Sequence, residues 1–284
     1  MLAVPFFALR KPFIGGIVII GMAFGIWKKS EDKNEKVAFG IEGFDKALNG
    51  GIPKGNIVLL SGGCGTGKST FCLQYLINGA IKYKEKGLYI STEQNKEELY
   101  KAASLFGWDL ADLEKKNLLK VAYFDVVEGD GFLDKIYDIG SQFQPARIVV
   151  DSLTTFTDSI LVSDENDKKP YTMAKIASTV SPMPKSERVI AKTALYHLLK
   201  KLKLFKATTI MTTELIEQAK ALSADEVSEF ICDGVVILEY LPVGKSVFRN
   251  MRIRKMRYTD HEKGALTYEI TKDGITLKPR ELTL

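Results

Sequence analysis

Residues 56–61 read Asn-Ile-Val-Leu-Leu-Ser and run straight into Gly62-Gly63-Cys64-Gly65-Thr66-Gly67-Lys68-Ser69-Thr70. The first run is short and apolar, without polar alternation, which suits a strand buried on both faces. The second fits the pattern G-x-x-x-x-G-K-[ST] between a strand and a helix, the context in which that pattern cradles phosphate. Its chemistry follows from the residue types. Glycines let main-chain N–H groups approach an anion without interference from Cβ atoms, and a helix N-terminus adds the positive end of its dipole. Residues Gly63 through Thr70 are therefore the candidate polyphosphate cradle. Lys68 is placed to reach the β- and γ-phosphates, and the Ser69 hydroxyl to ligate Mg²⁺. Cys64 fits the loop by its small side chain.

Downstream the pattern is helical. Phe71, Cys72, Tyr75, Leu76, Gly79 and Ala80 recur at helical spacing, which predicts a helix over 68–83 with one apolar face. A strand over 87–91 and a helix over 96–106 follow. Further strands are expected at 119–123, 148–151, 208–213 and 235–238. This alternation predicts the α/β class: a mainly parallel sheet with helices on both faces. After residue 245 short strands follow one another without helices, at 247–256, 266–270 and 275–277, and predict an antiparallel β extension at one sheet edge.

Two acids belong to this frame. Ile148-Val149-Val150 lead into Asp151, at the carboxyl end of a strand where ligands of parallel sheets collect. Asp151 is the candidate partner of the Mg²⁺ shell. Strand 87–91 ends in Thr92-Glu93-Gln94, and Glu93 is the candidate general base for an attacking water. The competing reading makes Glu93 a helix-start carboxylate facing the dipole of 96–106. Thr212, Thr213 and Glu214 end another strand and either sense the γ-phosphate or merely finish that strand.

Composition narrows the rest. Of 284 residues, 45% are hydrophobic and 26% charged, which excludes global disorder and a disulfide-stapled miniprotein. The net charge of +5 suits an anionic ligand without arguing for nucleic acid. Cys64, Cys72 and Cys232 show no paired spacing, and His197 and His261 are the only histidines, so zinc chemistry is disfavoured. Residues 1–36 are set apart from a domain over 37–284. The stretch 12–27, PFIGGIVIIGMAFGIW, lacks formal charge between Arg10-Lys11 and Lys28-Lys29. As a helix it would be about 24 Å long, short for a bilayer core of ~30 Å. A membrane anchor, an apolar arm that docks on protein, and an upstream misplaced start are the readings. The expected location is cytoplasmic, with a tether to the inner membrane face on the first of them. Residues 28–36 read as a charged linker, and 158–188, with three prolines, as a long surface loop.

Several motifs together resemble one family. They are Gly40-Ile41-Glu42-Gly43-Phe44-Asp45, Gly50-Gly51-Ile52-Pro53-Lys54-Gly55, the phosphate loop, Thr92-Glu93, Val149-Val150-Asp151-Ser152, and 207–214. Lys255-Met256-Arg257-Tyr258-Thr259-Asp260-His261 and Lys263-Gly264 complete the set. In this order they are similar to the KaiC-like branch of the RecA-type P-loop ATPases, over roughly 37–280. The resemblance implies a RecA-like core in a ring, usually a hexamer, with ATP at subunit interfaces. It implies that Glu93 is the catalytic glutamate and that Lys255 and Arg257 act in trans on a neighbour's γ-phosphate. His261 is a weaker interface candidate. On residue type alone, 255 and 257 share one face of a strand, about 7 Å apart, but the cluster Arg252, Arg254, Lys255 and Arg257 reads rather as a solvated basic edge strand. There are departures. The family's founding member carries two tandem ATPase domains, and its paired glutamates are Glu93-Gln94 here. Residues 158–188 read as an insertion into the family core. A circadian role and autophosphorylation are not implied.

The leading expectation is a Mg²⁺-dependent ATPase that signals to an unidentified protein partner. The alternatives are a recombinase-like DNA-binding ATPase and a nucleotide-gated scaffold of slow turnover. Residues 215–229, LIEQAKALSADEVSE, are not basic and count against DNA.

Overall fold

A computed structural model describes residues 35–125, 131–161, 187–215, 221–244 and 246–278. In chain order these hold β1 (Lys36–Val37), α1 (Glu42–Ala47), β2 (Ile52–Pro53), β3 (Ile57–Gly62), α2 (Lys68–Asn78), β4 (Gly87–Ser91), α3 (Lys96–Ser104), α4 (Leu110–Lys115) and β5 (Leu119–Tyr123). They continue with α5 (Phe132–Phe143), β6 (Arg147–Asp151), α6 (Leu153–Leu161), α7 (Glu187–Leu204), β7 (Thr208–Glu214), α8 (Ser228–Ile231) and β8 (Gly234–Val243). The last strands are β9 (Ser246–Met256), β10 (Leu266–Thr271) and β11 (Gly274–Leu277).

Nine strands form one sheet in the order β11-β10-β9-β8-β3-β7-β6-β4-β5. From β8 through β5 every pairing is parallel, and from β8 outward to β11 every pairing is antiparallel. The mainly parallel core and the antiparallel extension are both as expected. β3 is the middle strand of the nine, and all six of its residues are buried. Successive side chains alternate between two cores. Val58 and Leu60 pack with α2 on one face, whereas Ile57 and Leu59 pack with α5, α6 and α7 on the other. This two-sided burial is why an unbroken apolar run marks the strand.

The helix expected over 68–83 is present with one change. Its last turn, Gly79–Tyr83, is a π-turn. The wide turn passes Arg147, whose guanidinium would meet a Cβ at Gly79 within 2.5–2.9 Å. Arg147 is fully buried at the start of β6. It pairs with Glu85 at 2.6 Å and donates to the carbonyls of Tyr75 at 3.0 Å and Ala38 at 2.8 Å. Its guanidinium also stacks on the Tyr75 ring at 4.7 Å. One cation thus ties the backbone after β1, α2 and the central sheet together.

The surface loop expected over 158–188 does not begin or end where expected. Its first residues complete α6 and its last begin α7, and 162–186 lie outside the described residues. Prolines concentrated inside the stretch hid the helical ends. Residues 36–284 make up one compact unit. Among the described residues no helix is long and apolar enough to cross a membrane, and residues 12–27 lie outside them.

Replacing Arg147 by Met should lower the unfolding free energy by about 3 kcal/mol, since buried carbonyls lose their donors. Urea denaturation reads this as a lower midpoint at unchanged slope, and an unchanged midpoint would contradict the role.

Candidate functional site

The loop from Gly62 to Gly67 leaves β3 at the carboxyl edge of the sheet and enters α2. Gly65 and Gly67 have φ of +73° and +96°, in the left-handed region that a side chain disfavours. A Cβ at Gly67 would also lie 2.7 Å from Ile270 Cδ1. Gly67 is the N-cap of α2, and no side chain caps that helix. Its first-turn amides are left to an external acceptor. Lys68 folds back over the loop, its Nζ donating to the carbonyls of Gly62 at 2.8 Å and Gly63 at 3.2 Å. Thr66 is buried and its hydroxyl donates to Gly63 O at 2.8 Å. Cys64 is exposed at the turn, and Gly63, Ser69 and Thr70 are partly exposed around it.

Asp151 ends β6 and is buried. Both its oxygens have neutral donors. Tyr89 Oη donates to Oδ2 at 2.5 Å, and Thr212 Oγ1 donates to Oδ1 at 2.5 Å. The Ser69 side chain lies beside the same phenol, so Ser69 of the phosphate motif and Asp151 are both neighbours of Tyr89. Burial, and then the Asp151 charge, push the Tyr89 phenol well above its ordinary range, so it stays a neutral donor. Thr212 therefore has a contact more specific than finishing a strand.

Glu93 lies just beyond β4, which pairs with β6 so that Ser91 is opposite Asp151. Its carboxylate accepts hydrogen bonds from the Ser152 hydroxyl and from Thr155 Oγ1, the latter at 3.0 Å. It does not cap α3. That helix has its own capping box, with Glu98 N donating to Asn95 Oδ1 and Asn95 N to Glu98 Oε2, both at 2.9 Å. The N-cap hydrogen bonds of α3 are thus made by Asn95 and Glu98, not by Glu93. Lys68, Ser69, Asp151 and Glu93 lie at the carboxyl edge of the parallel part of the sheet, following or ending β3, β6 and β4, with β7 between β3 and β6.

Lys255 and Arg257 are elsewhere. β8 runs parallel to β3 with Leu59 opposite Val235, and β9 runs back with Val235 opposite Lys255. Arg257 N bonds Asp233 O, and Asp233 N bonds Ile57 O, so Arg257 is level with Ile57. That is the far end of β3, about 16 Å along the strand from Gly62. Neither cation can serve the loop of its own chain. Nor are they a free pair on one strand face. Arg257 lies past the end of β9 and pairs with Asp233 at 3.2 Å. Lys255 Nζ donates to the carbonyls of Cys232 at 2.6 Å, Glu229 at 3.2 Å and Phe230 at 3.3 Å, at the end of α8. A register shift in β9 opposite Val235/Val236 breaks the strand alternation that the sequence suggested. His261 Nδ1 lies 2.9 Å from Glu262 O, and the residue lines a cleft of about 1280 Å³ with Lys46, Lys82 and Lys263, apart from the loop.

Sequence reasoning missed four residues around the loop. Tyr89 is one. Tyr240 Oη donates to Gly65 O at 2.7 Å, and Tyr268 Oη to Thr66 O at 2.6 Å. Arg249 stands opposite both tyrosines in the sheet, with its guanidinium 5.3 Å from the Tyr240 ring. Its Nε is buried without a partner among the described residues. The only available signal was Arg249 in the basic run 249–257, and nothing in that run pointed to the loop.

The chain matches the sequence model of the KaiC ATPase over residues 37–168 and 174–282. It belongs to the KaiC ATPase family. The family match covers all of 158–188 except 169–173, so most of what reads as an insertion is ordinary family sequence. Low periodicity in a loop-rich stretch gave the contrary impression. The circadian clock oscillator protein KaiC of Synechococcus elongatus is 33% identical over 249 residues, covering 84% of this chain and 43% of that protein. The protein of the same name from Acaryochloris marina is 30% identical over 268 residues, covering 88% and 46%. The chain thus spans less than half the length of these KaiC relatives. A KaiC-like protein of the hyperthermophilic archaeon Pyrococcus horikoshii, solved by crystallography, superposes with a TM-score of 0.71 at 32% identity, covering 86% of this chain and 99% of that one.

Substituting Tyr89→Phe removes one of the two donors to a buried carboxylate. The unfolding free energy of the nucleotide-free protein should fall by about 1–3 kcal/mol. A urea midpoint equal to wild type would show that the bond is not made.

Proposed function

We propose that this chain is a Mg²⁺-dependent ATPase whose active sites are completed between subunits of a ring, with six subunits the favoured number. The observation that carries this reading is the convergence of an uncapped glycine loop, Lys68, Ser69, Asp151 and Glu93 on one sheet edge. Residues 37–284 form the ATPase domain, and 1–36 a separate segment. ATP with Mg²⁺ fits the donor set, because the loop offers amides and a cation, while Ser69 and Asp151 offer oxygens.

The amides and side chains of Gly63 through Thr70 bind the polyphosphate, with Lys68 balancing its charge. Ser69 and Asp151 would hold the Mg²⁺ ion, which when bound would supply charge neutralisation for transfer of the phosphoryl group of ATP. Glu93, exposed at the edge and released from Ser152 and Thr155, orients a water molecule and takes its proton. Lys255 and Arg257 are too far from their own loop, which supports a role toward the nucleotide of an adjacent subunit, with His261 on the same approaching face. Two cations there would stabilise developing negative charge. Turnover then changes the contacts that hold Lys255 and Arg257, and this is the route by which the ring would signal to a protein partner in the cytoplasm.

Lys68→Ala should abolish ATP binding, and Glu93→Gln should bind ATP normally while losing at least about 10²-fold in turnover. Equilibrium binding and phosphate release separate the two. Normal hydrolysis by Glu93→Gln would reject the assignment. Arg257→Ala should be slow alone, and mixing it with Glu93→Gln subunits should restore part of the activity. No recovery at any ratio would contradict catalysis across the interface.

A further inference from the structure

The phosphate loop is held from outside by strands far away in sequence. Tyr240 on β8 and Tyr268 on β10 flank Arg249 on β9, and both hydroxyls end on consecutive loop carbonyls, Gly65 O at 2.7 Å and Thr66 O at 2.6 Å. A trans peptide is planar, and its N–H points opposite its C=O. Fixing these two carbonyls toward the tyrosines turns the N–H groups of Thr66 and Gly67 the other way. Thr66 N accordingly faces the inside of the loop, 3.4 Å from Gly63 O. The same strands brace the following helix. Ile270 packs against Gly67, and Gln74 of α2 exchanges two hydrogen bonds with Ile275, Oε1 accepting from its N at 2.7 Å and Nε2 donating to its O at 3.1 Å.

A loop rich in glycine has many accessible backbone states, and ordering it on binding costs affinity. We propose that Tyr240 and Tyr268 are positioning residues that hold the phosphate loop in its anion-binding shape before any ligand arrives. The inference rests on the reading of that loop as a polyphosphate site. Their target is the polyphosphate rather than the base, because the groups they orient are loop amides. The antiparallel extension is then a working part of the nucleotide site, not only an edge to the sheet.

The test is equilibrium binding of inorganic pyrophosphate and of ADP, each with Mg²⁺, to the full chain. Tyr268→Phe should weaken both ligands about tenfold, the equivalent of one well-made hydrogen bond. Tyr240→Phe, at a half-exposed position tolerant of change, should weaken both about three- to tenfold. Tyr75→Phe is the control. It deletes the same kind of bond, a buried hydroxyl on the Thr208 carbonyl at 3.1 Å, away from the loop. It should lower thermal stability while leaving both affinities within about twofold. Wild-type affinity in both Tyr240→Phe and Tyr268→Phe would overturn the inference, as would an equal loss in Tyr75→Phe. Should Tyr268→Phe fail to fold, Tyr240→Phe decides alone. A wild-type chain that binds neither ligand would overturn the nucleotide reading and the inference with it. Wild-type binding beside unaffected variants would overturn the inference only.

Discussion

The amides at the start of α2 need a partner that the helix itself does not provide. Helices usually meet this need with a Ser, Thr, Asp or Asn at the N-cap, and α3 does so with Asn95. α2 begins instead at a glycine with positive φ and no capping side chain. That position is stable only because its surroundings are rigid. β3 is buried on both faces below it, Ile270 presses on Gly67, and two tyrosines hold the loop carbonyls. The fold thus fixes a ring of donors in a place where a solvent-exposed loop of the same sequence would collapse onto itself.

The rest of the sheet distributes charge around that ring. Parallel pairing brings Asp151 and Glu93 to the same edge as the loop, since each ends a strand or lies just past one. Asp151 is buried and held by two hydroxyl donors, whereas Glu93 is exposed and accepts from the Ser152 and Thr155 hydroxyls. A buried carboxylate with fixed donors would suit a metal shell, and a solvent-exposed one would suit proton transfer. The antiparallel return of β9 has the opposite consequence. It carries Lys255 and Arg257 to the far end of β3, where they bind α8 carbonyls and Asp233. The strand geometry therefore separates Lys255 and Arg257 from the phosphate loop of their own chain.

Much of this was legible in the sequence, for identifiable reasons. An apolar run without alternation betrayed β3, and residues adjacent to strand ends betrayed Asp151 and Glu93, because local order decides where a strand end lies. The antiparallel extension was visible once helices stopped separating strands. What stayed hidden depended on pairing across distance. Tyr240 and Tyr268 lie 175 and 202 residues from the loop residues they bond and look like ordinary strand aromatics. Tyr89 sits inside a buried strand and reads as core. Lys255 and Arg257 were expected on one face, but a bulge and the end of β9 redirected them, and neither follows from residue spacing.

The most direct measurement is an amide NMR titration of the full chain with ADP and Mg²⁺, following the N–H signals of residues 63–69. The account predicts large downfield shifts for Gly65, Gly67, Lys68 and Ser69, with Lys68→Ala abolishing them. Shifts confined to other parts of the sheet, with these amides unmoved at saturation, would contradict it.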